Sequence, residues 1–118
     1  VLPAAHRLRD GATFREAIRS GRRAGRRTVV VHLWTDPSVR ADGAARVGLV
    51  VSKAVGNAVV RNQVKRRLRH LAREHVSTLP GSAVLVVRAL PPSAGASSAE
   101  LRADLARCLE RTRAEVTR

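Results

Sequence analysis

Between residues 59 and 76 the chain reads VVRNQVKRRLRHLAREHV, with five Arg, one Lys and a single acid, Glu74. Cations at this density do not make an acid–base or nucleophilic centre; they bind anions. A guanidinium grips phosphate through paired N–H donors, and an ammonium acts as a point charge. Arg61, Lys65, Arg69 and Arg73 recur at four-residue steps, so in a helix they stack along one face. Like charges there repel by about 0.2–0.5 kcal/mol per pair. Solvated faces usually mix signs, whereas a bound polyanion offsets the repulsion.

The other chemically capable residues are sparse. His32 has no acid or histidine at a telling spacing and reads as a groove-edge or hydrogen-bonded sheet histidine. His70 and His75 are five apart, not at the four-residue spacing of a helical zinc pair, and read as surface or core-edge. His6 is expected to be solvated. Cys108 is the only cysteine, which excludes a disulfide framework and a Cys-based zinc site; it reads as a small core residue. No phosphate-binding Gly loop, nucleophile elbow or carboxylate pair occurs among nine scattered acids. A self-sufficient protein enzyme is not expected.

The elements that must position the basic residues follow from periodicity. At about 100° per residue, Val60, Val64, Leu68, Leu71 and His75 fall within an arc of roughly 80°. Arg61, Asn62, Lys65, Arg66, Arg69 and Arg73 occupy a separate arc of roughly 140°, with Arg67 beside the apolar edge. The stretch is therefore an amphipathic helix, opened by Gly56–Asn57 and closed by LPGS at 79–82. A first helix is expected over LRDGATFREAIRSG, capped by Asp10 and stopped by Gly21. RRAGRR at 22–27 reads as a basic loop. Strands are expected at 28–34, 46–53 and 83–90. The first places Val29, Val31 and Leu33 on one face and Val30, His32 and Trp34 on the other. The first two strands are expected to pair antiparallel across the turn-rich segment between them, and the third to be central. Ser97 and Glu100 form a capping-box pattern ahead of a last helix with Leu101, Leu105, Cys108 and Leu109 as its stripe. The order is α-β-β-α-β-α, an α+β fold with one face of a small sheet covered by helices; a short extra strand leaves no clear signal.

The formal net charge is +14 over 118 residues. Residues 1–73 hold 17 Lys and Arg against 4 acids, and residues 74–118 hold 6 against 5. The first part is an electrostatic footprint for a polyanion; the second is ordinary surface. With 44% hydrophobic residues and only Phe14 and Trp34 as aromatics, one domain over 1–118 with a Val, Leu and Ala core is expected. An anionic membrane would need exposed apolar side chains beside the bases, and the helix needs its own for the core. A helix-turn-helix pair for DNA is absent. RNA fits best, through phosphates and 2′-hydroxyls. The lone cysteine and the lack of a signal-like or membrane-spanning apolar run point to the cytoplasm.

The segment RVGLVVSKAVGNAVVRNQVKRRLRH carries a resemblance. Its Arg61, Asn62, Lys65, Arg66 and Arg69 match the R-N-x-x-K-R-x-x-R helix of the bacterial ribonuclease P protein family, approached through Ser52, Lys53, Gly56 and Asn57. HRLRDGATFREAIRSG, VVVHLW and VLVVRALP resemble other family elements, so the likeness spans nearly the whole chain. It implies a fold like the second domain of ribosomal protein S5, α-β-β-(β)-α-β-α with a left-handed βαβ crossover. It also implies a role as the protein subunit of a ribonucleoprotein endoribonuclease that trims 5′ leaders from precursor tRNA. The RNA subunit would carry the chemistry through Mg²⁺, with no catalytic residue in the protein. Lys53, Arg61, Asn62, Lys65, Arg66 and Arg69 would contact the RNA subunit. Phe14, Ile18, Val30 and His32 would form the leader groove, where the family often has aromatics at the positions of Ile18 and His32. Neither a membrane nor DNA is an expected partner. The alternative is a general or ribosomal RNA-binding protein of the same fold.

Overall fold

The computed structural model describes residues 4–40 and 42–116. Four strands form one sheet: β1 (Arg22–Gly25), β2 (Val29–Thr35), β3 (Arg46–Val50) and β4 (Ala83–Ala89). Three helices accompany them: α1 (Gly11–Ser20), α2 (Ala58–Val76) and α3 (Ser98–Val116). The strand order is β1-β2-β4-β3, with β1·β2 and β2·β4 antiparallel and β3·β4 parallel.

Three expectations are corrected. RRAGRR is not simply a loop: Arg22–Gly25 is strand β1, with Arg22 opposite Leu33 and Gly25 opposite Val30. Only Ala24 in it is buried, so no apolar alternation marks it, and its arginines suit an edge that must not pair further. Secondly, β2 and β3 do not pair. The more apolar β4, buried at every position but Arg88, takes the place between them, and α2 makes the crossover that a parallel β3·β4 pair requires. Thirdly, helices cover both sheet faces. Val29, Val31, Leu33, Leu85 and Val87 pack with Val64 and Leu68 of α2 and Leu101 and Leu105 of α3. Val84 and Val86 pack on the other face with Ala17 and Phe14 of α1, Leu8 and Trp34.

The helix boundaries follow local chemistry. The Asp10 carboxylate accepts from Ala12 N at 3.1 Å and from the Thr13 hydroxyl at 2.7 Å. These bonds, the Thr13 one foremost, hold its pKa below the ordinary carboxylate value. Gly21 closes α1 with its N donating to the Ala17 carbonyl at 2.9 Å before the backbone turns extended, and a Cβ there would lie 2.4 Å from that oxygen. Asn57 Oδ1 accepts from Val60 N at 3.0 Å and opens α2. Ser97 Oγ accepts from Glu100 N at 3.0 Å, while the Glu100 carboxylate turns to Arg27 on the β1–β2 hairpin. Buried Asp104 accepts from Thr28 N at 3.2 Å and from the Thr28 hydroxyl at 2.6 Å, tying that hairpin to α3.

Candidate nucleic-acid interface

In α2 the buried residues are Val64, Leu68, Leu71, Ala72 and Val76, with Val60 packed at their edge. The apolar ridge thus runs along a four-residue row, Val60–Val64–Leu68–Ala72–Val76, and takes in Ala72 and Val76 where periodicity had favoured His75. Beside it runs the parallel row Arg61–Lys65–Arg69–Arg73. Burying one row fixes the rotation of the other: Arg61, Lys65 and Arg69 are half-buried at the margin, while Asn62, Arg66 and Arg73 are exposed. The Nε of Arg61 is buried without a hydrogen-bond partner. Lys53 is exposed in the short 3₁₀ turn Lys53–Val55 that leads into α2.

The basic row borders a cleft of about 420 Å³ lined by Arg7, Arg9, Phe14, Gly48, Lys65 and Arg69, with Leu8, Val47 and Leu49 as apolar neighbours. Three elements build it. The segment before α1 lies along the free edge of β3, where Leu8 N donates to the Val47 carbonyl at 2.9 Å and Arg7 bridges Val47 in parallel. α1 supplies Phe14, whose ring rests on Gly48; a Cβ at Gly48 would lie 2.2 Å from Phe14 Cζ. α2 supplies Lys65 and Arg69. Four cations and one aromatic ring share this cleft, and no acid lines it. Phosphates find charge and N–H donors there, and a base finds a ring to stack on, the combination that holds single-stranded RNA.

Of the ten residues expected in the interface, the cleft brings together Phe14, Lys65 and Arg69. Ile18 is exposed on α1, 38% accessible, and lies outside the cleft lining. Val30 and His32 are buried on the sheet face beneath α1, at 5% and 3%. Of the two readings of His32, groove-edge or hydrogen-bonded, the second does not hold: both ring nitrogens are buried without a partner. Burial, then Arg88 and Arg23, push its pKa below the ordinary imidazole value. His6 is half-buried rather than solvated, its Nδ1 2.6 Å from the Ala45 carbonyl oxygen. His75 borders the core, and burial lowers its pKa, with Arg113 adding to the effect. Cys108 is fully buried, and burial raises its thiol pKa, with Asp104 next. The residues missed are Arg7, Arg9 and Gly48. Only weak local signals mark them, two arginines before a capped helix and a glycine inside a strand, and neither tells that the two segments meet. Among the described residues no group of three or more His, Cys, Asp or Glu is placed to hold a metal ion, and no helix is long and apolar enough to cross a membrane.

Sheet, helices and cleft define a small α+β protein with a cationic, acid-free cleft built on one helix and one sheet edge. The family model described as Ribonuclease P matches residues 2–113. The ribonuclease P protein component of a Nocardioides species is 77% identical over 117 residues, covering 99% of both chains. That of Streptomyces avermitilis is 53% identical over 116 residues, covering 94% of each. The solved ribonuclease P protein of Staphylococcus aureus superposes with a TM-score of 0.78 at 27% identity, covering 90% of this chain and 94% of its own. The chain belongs to the ribonuclease P protein family.

Proposed function

We propose that the chain works as the protein component of ribonuclease P by holding RNA on two adjoining surfaces. The RNA subunit lies against Lys53, Arg61, Asn62, Lys65, Arg66 and Arg69. The single-stranded 5′ leader of precursor tRNA enters the neighbouring cleft, with Phe14 as its stacking platform and Ile18, Val30 and His32 forming or backing its α1 side. The observation that carries this reading is the meeting of Phe14 with Lys65, Arg69, Arg7 and Arg9 in one acid-free cleft. The protein lowers repulsion between two polyanions and recruits the leader. Mg²⁺ held by the RNA subunit supplies the hydrolytic chemistry. The cytoplasm, where tRNA precursors are made, is its place of action.

Leader recruitment is tested by comparing the reconstituted enzyme's affinity for precursor and mature tRNA. Phe14→Ala should weaken the precursor by about 1–3 kcal/mol, the worth of one stacked base, and leave mature tRNA unchanged. Equal weakening of both substrates would remove the leader from this cleft.

A further inference from the structure

α2 has a second basic flank. Between α2 and the first turn of α3 lies a cleft of about 390 Å³ lined by Arg66, Arg67, His70, Leu71, Ser98 and Arg102. It shares no residue with the first cleft. Arg67 Nη1 donates to the Ala96 carbonyl at 3.3 Å, and Arg102 Nη2 donates to Glu74 Oε1 at 3.1 Å. The first runs from α2 to the segment just before α3, the second from α3 back to α2. Each engages one nitrogen of a guanidinium that has three, so the forks are held in position with further donor capacity. No acid lines the cleft. Leu71 is buried, and no large apolar side chain is exposed there to enter a lipid surface.

We propose that this cleft is a second backbone-binding site for the ribonuclease P RNA subunit, which thereby contacts α2 along both flanks. The inference rests on the function proposed above and names a further part of the same partner's footprint. Charge selects a polyanion. Continuity selects the RNA subunit over the precursor: Arg66 belongs both to the exposed basic face of α2 and to this cleft, so RNA lying on that face runs directly onto Arg67 and Arg102. The leader cleft lies on the other flank, a helix width of about 10–12 Å away.

The test uses the full chain with ribonuclease P RNA. Arg67→Gln and Arg102→Gln should each weaken binding about tenfold, the worth of one charge-assisted contact, and flatten the log K against log salt slope by about one. Their backbone footprints should lose protection at nucleotides other than those lost with Lys65→Gln. Glu74→Ala removes the same cross-helix bond but no cation, and should keep the wild-type slope; a slope as flat as that of Arg102→Gln would make the role structural and overturn the proposal. Since Cys108 is buried, an iron chelate on Ser98→Cys attaches selectively and should cut the RNA subunit; cutting confined to precursor tRNA would overturn the assignment. Wild-type binding and footprints for both Arg variants beside a weakened Lys65→Gln would remove this site and leave the proposed function standing. Wild-type binding by all three would remove both.

Discussion

Gly48 and Phe14 show how a single atom shapes the cleft. A methyl group at Gly48 would enter the Phe14 ring, so Gly48→Ala must displace the ring or strain the strand. The expected cost is about 1–3 kcal/mol. In a Phe14→Ala background the same change should be nearly neutral, and a double-mutant cycle in urea reads the coupling; additive effects would mean the ring does not rest there. His32 is the opposite case, a polar side chain held without partners. Its folded-state pKa lies below the reference value of 6.5, so the neutral form is favoured by folding. The stability tied to it is complete above that value and is lost as pH falls below it. His32→Leu should therefore raise stability by about 1 kcal/mol above pH 7 and make the loss between pH 7 and 5 shallower, with His75 carrying the remainder. Urea unfolding across that range measures both; an unchanged pH slope would contradict the account.

At the scale of elements, α2 was the most legible part of the chain because one helix writes both its apolar and its basic row into a single periodic stretch. Asp10, Gly21, Asn57 and Ser97 likewise mark the helix ends through chemistry local to each cap. What stayed illegible was what depends on distant pairing. β1 has one buried residue, Ala24, with two arginines before it in the strand and two more just after Gly25, so nothing local separates it from a loop. The insertion of β4 between β2 and β3 reflects which strand most needs two covered faces, a comparison across the molecule. The half of the cleft made by Arg7, Arg9 and Gly48 was hidden for the same reason: residues 7 and 47 meet only once the chain lies along the β3 edge. The basic row itself makes a direct prediction. Lys65→Gln or Arg66→Gln should weaken binding to ribonuclease P RNA and flatten the salt slope by about one per lost phosphate contact. Filter or fluorescence titration over a salt series checks it, and an unchanged slope would take those residues out of the interface.

Across the whole molecule, charge and core are divided between different parts of the chain. The first 73 residues hold nearly all of the positive excess and contribute both walls of the Phe14 cleft. The remaining residues contribute the central strand and α3, whose Leu101, Leu105 and Cys108 are fully buried, and they brace the basic helix from behind. That division of charge and core is what the proposed role, lending cations to an RNA, requires. The most direct measurement is 5′ cleavage of a precursor tRNA at low Mg²⁺ by ribonuclease P RNA, with and without this protein. The account predicts strong stimulation by the protein, loss of that stimulation with Lys65→Gln/Arg69→Gln, and no cleavage by the protein alone. Absence of stimulation, or cleavage by the protein without RNA, would contradict it.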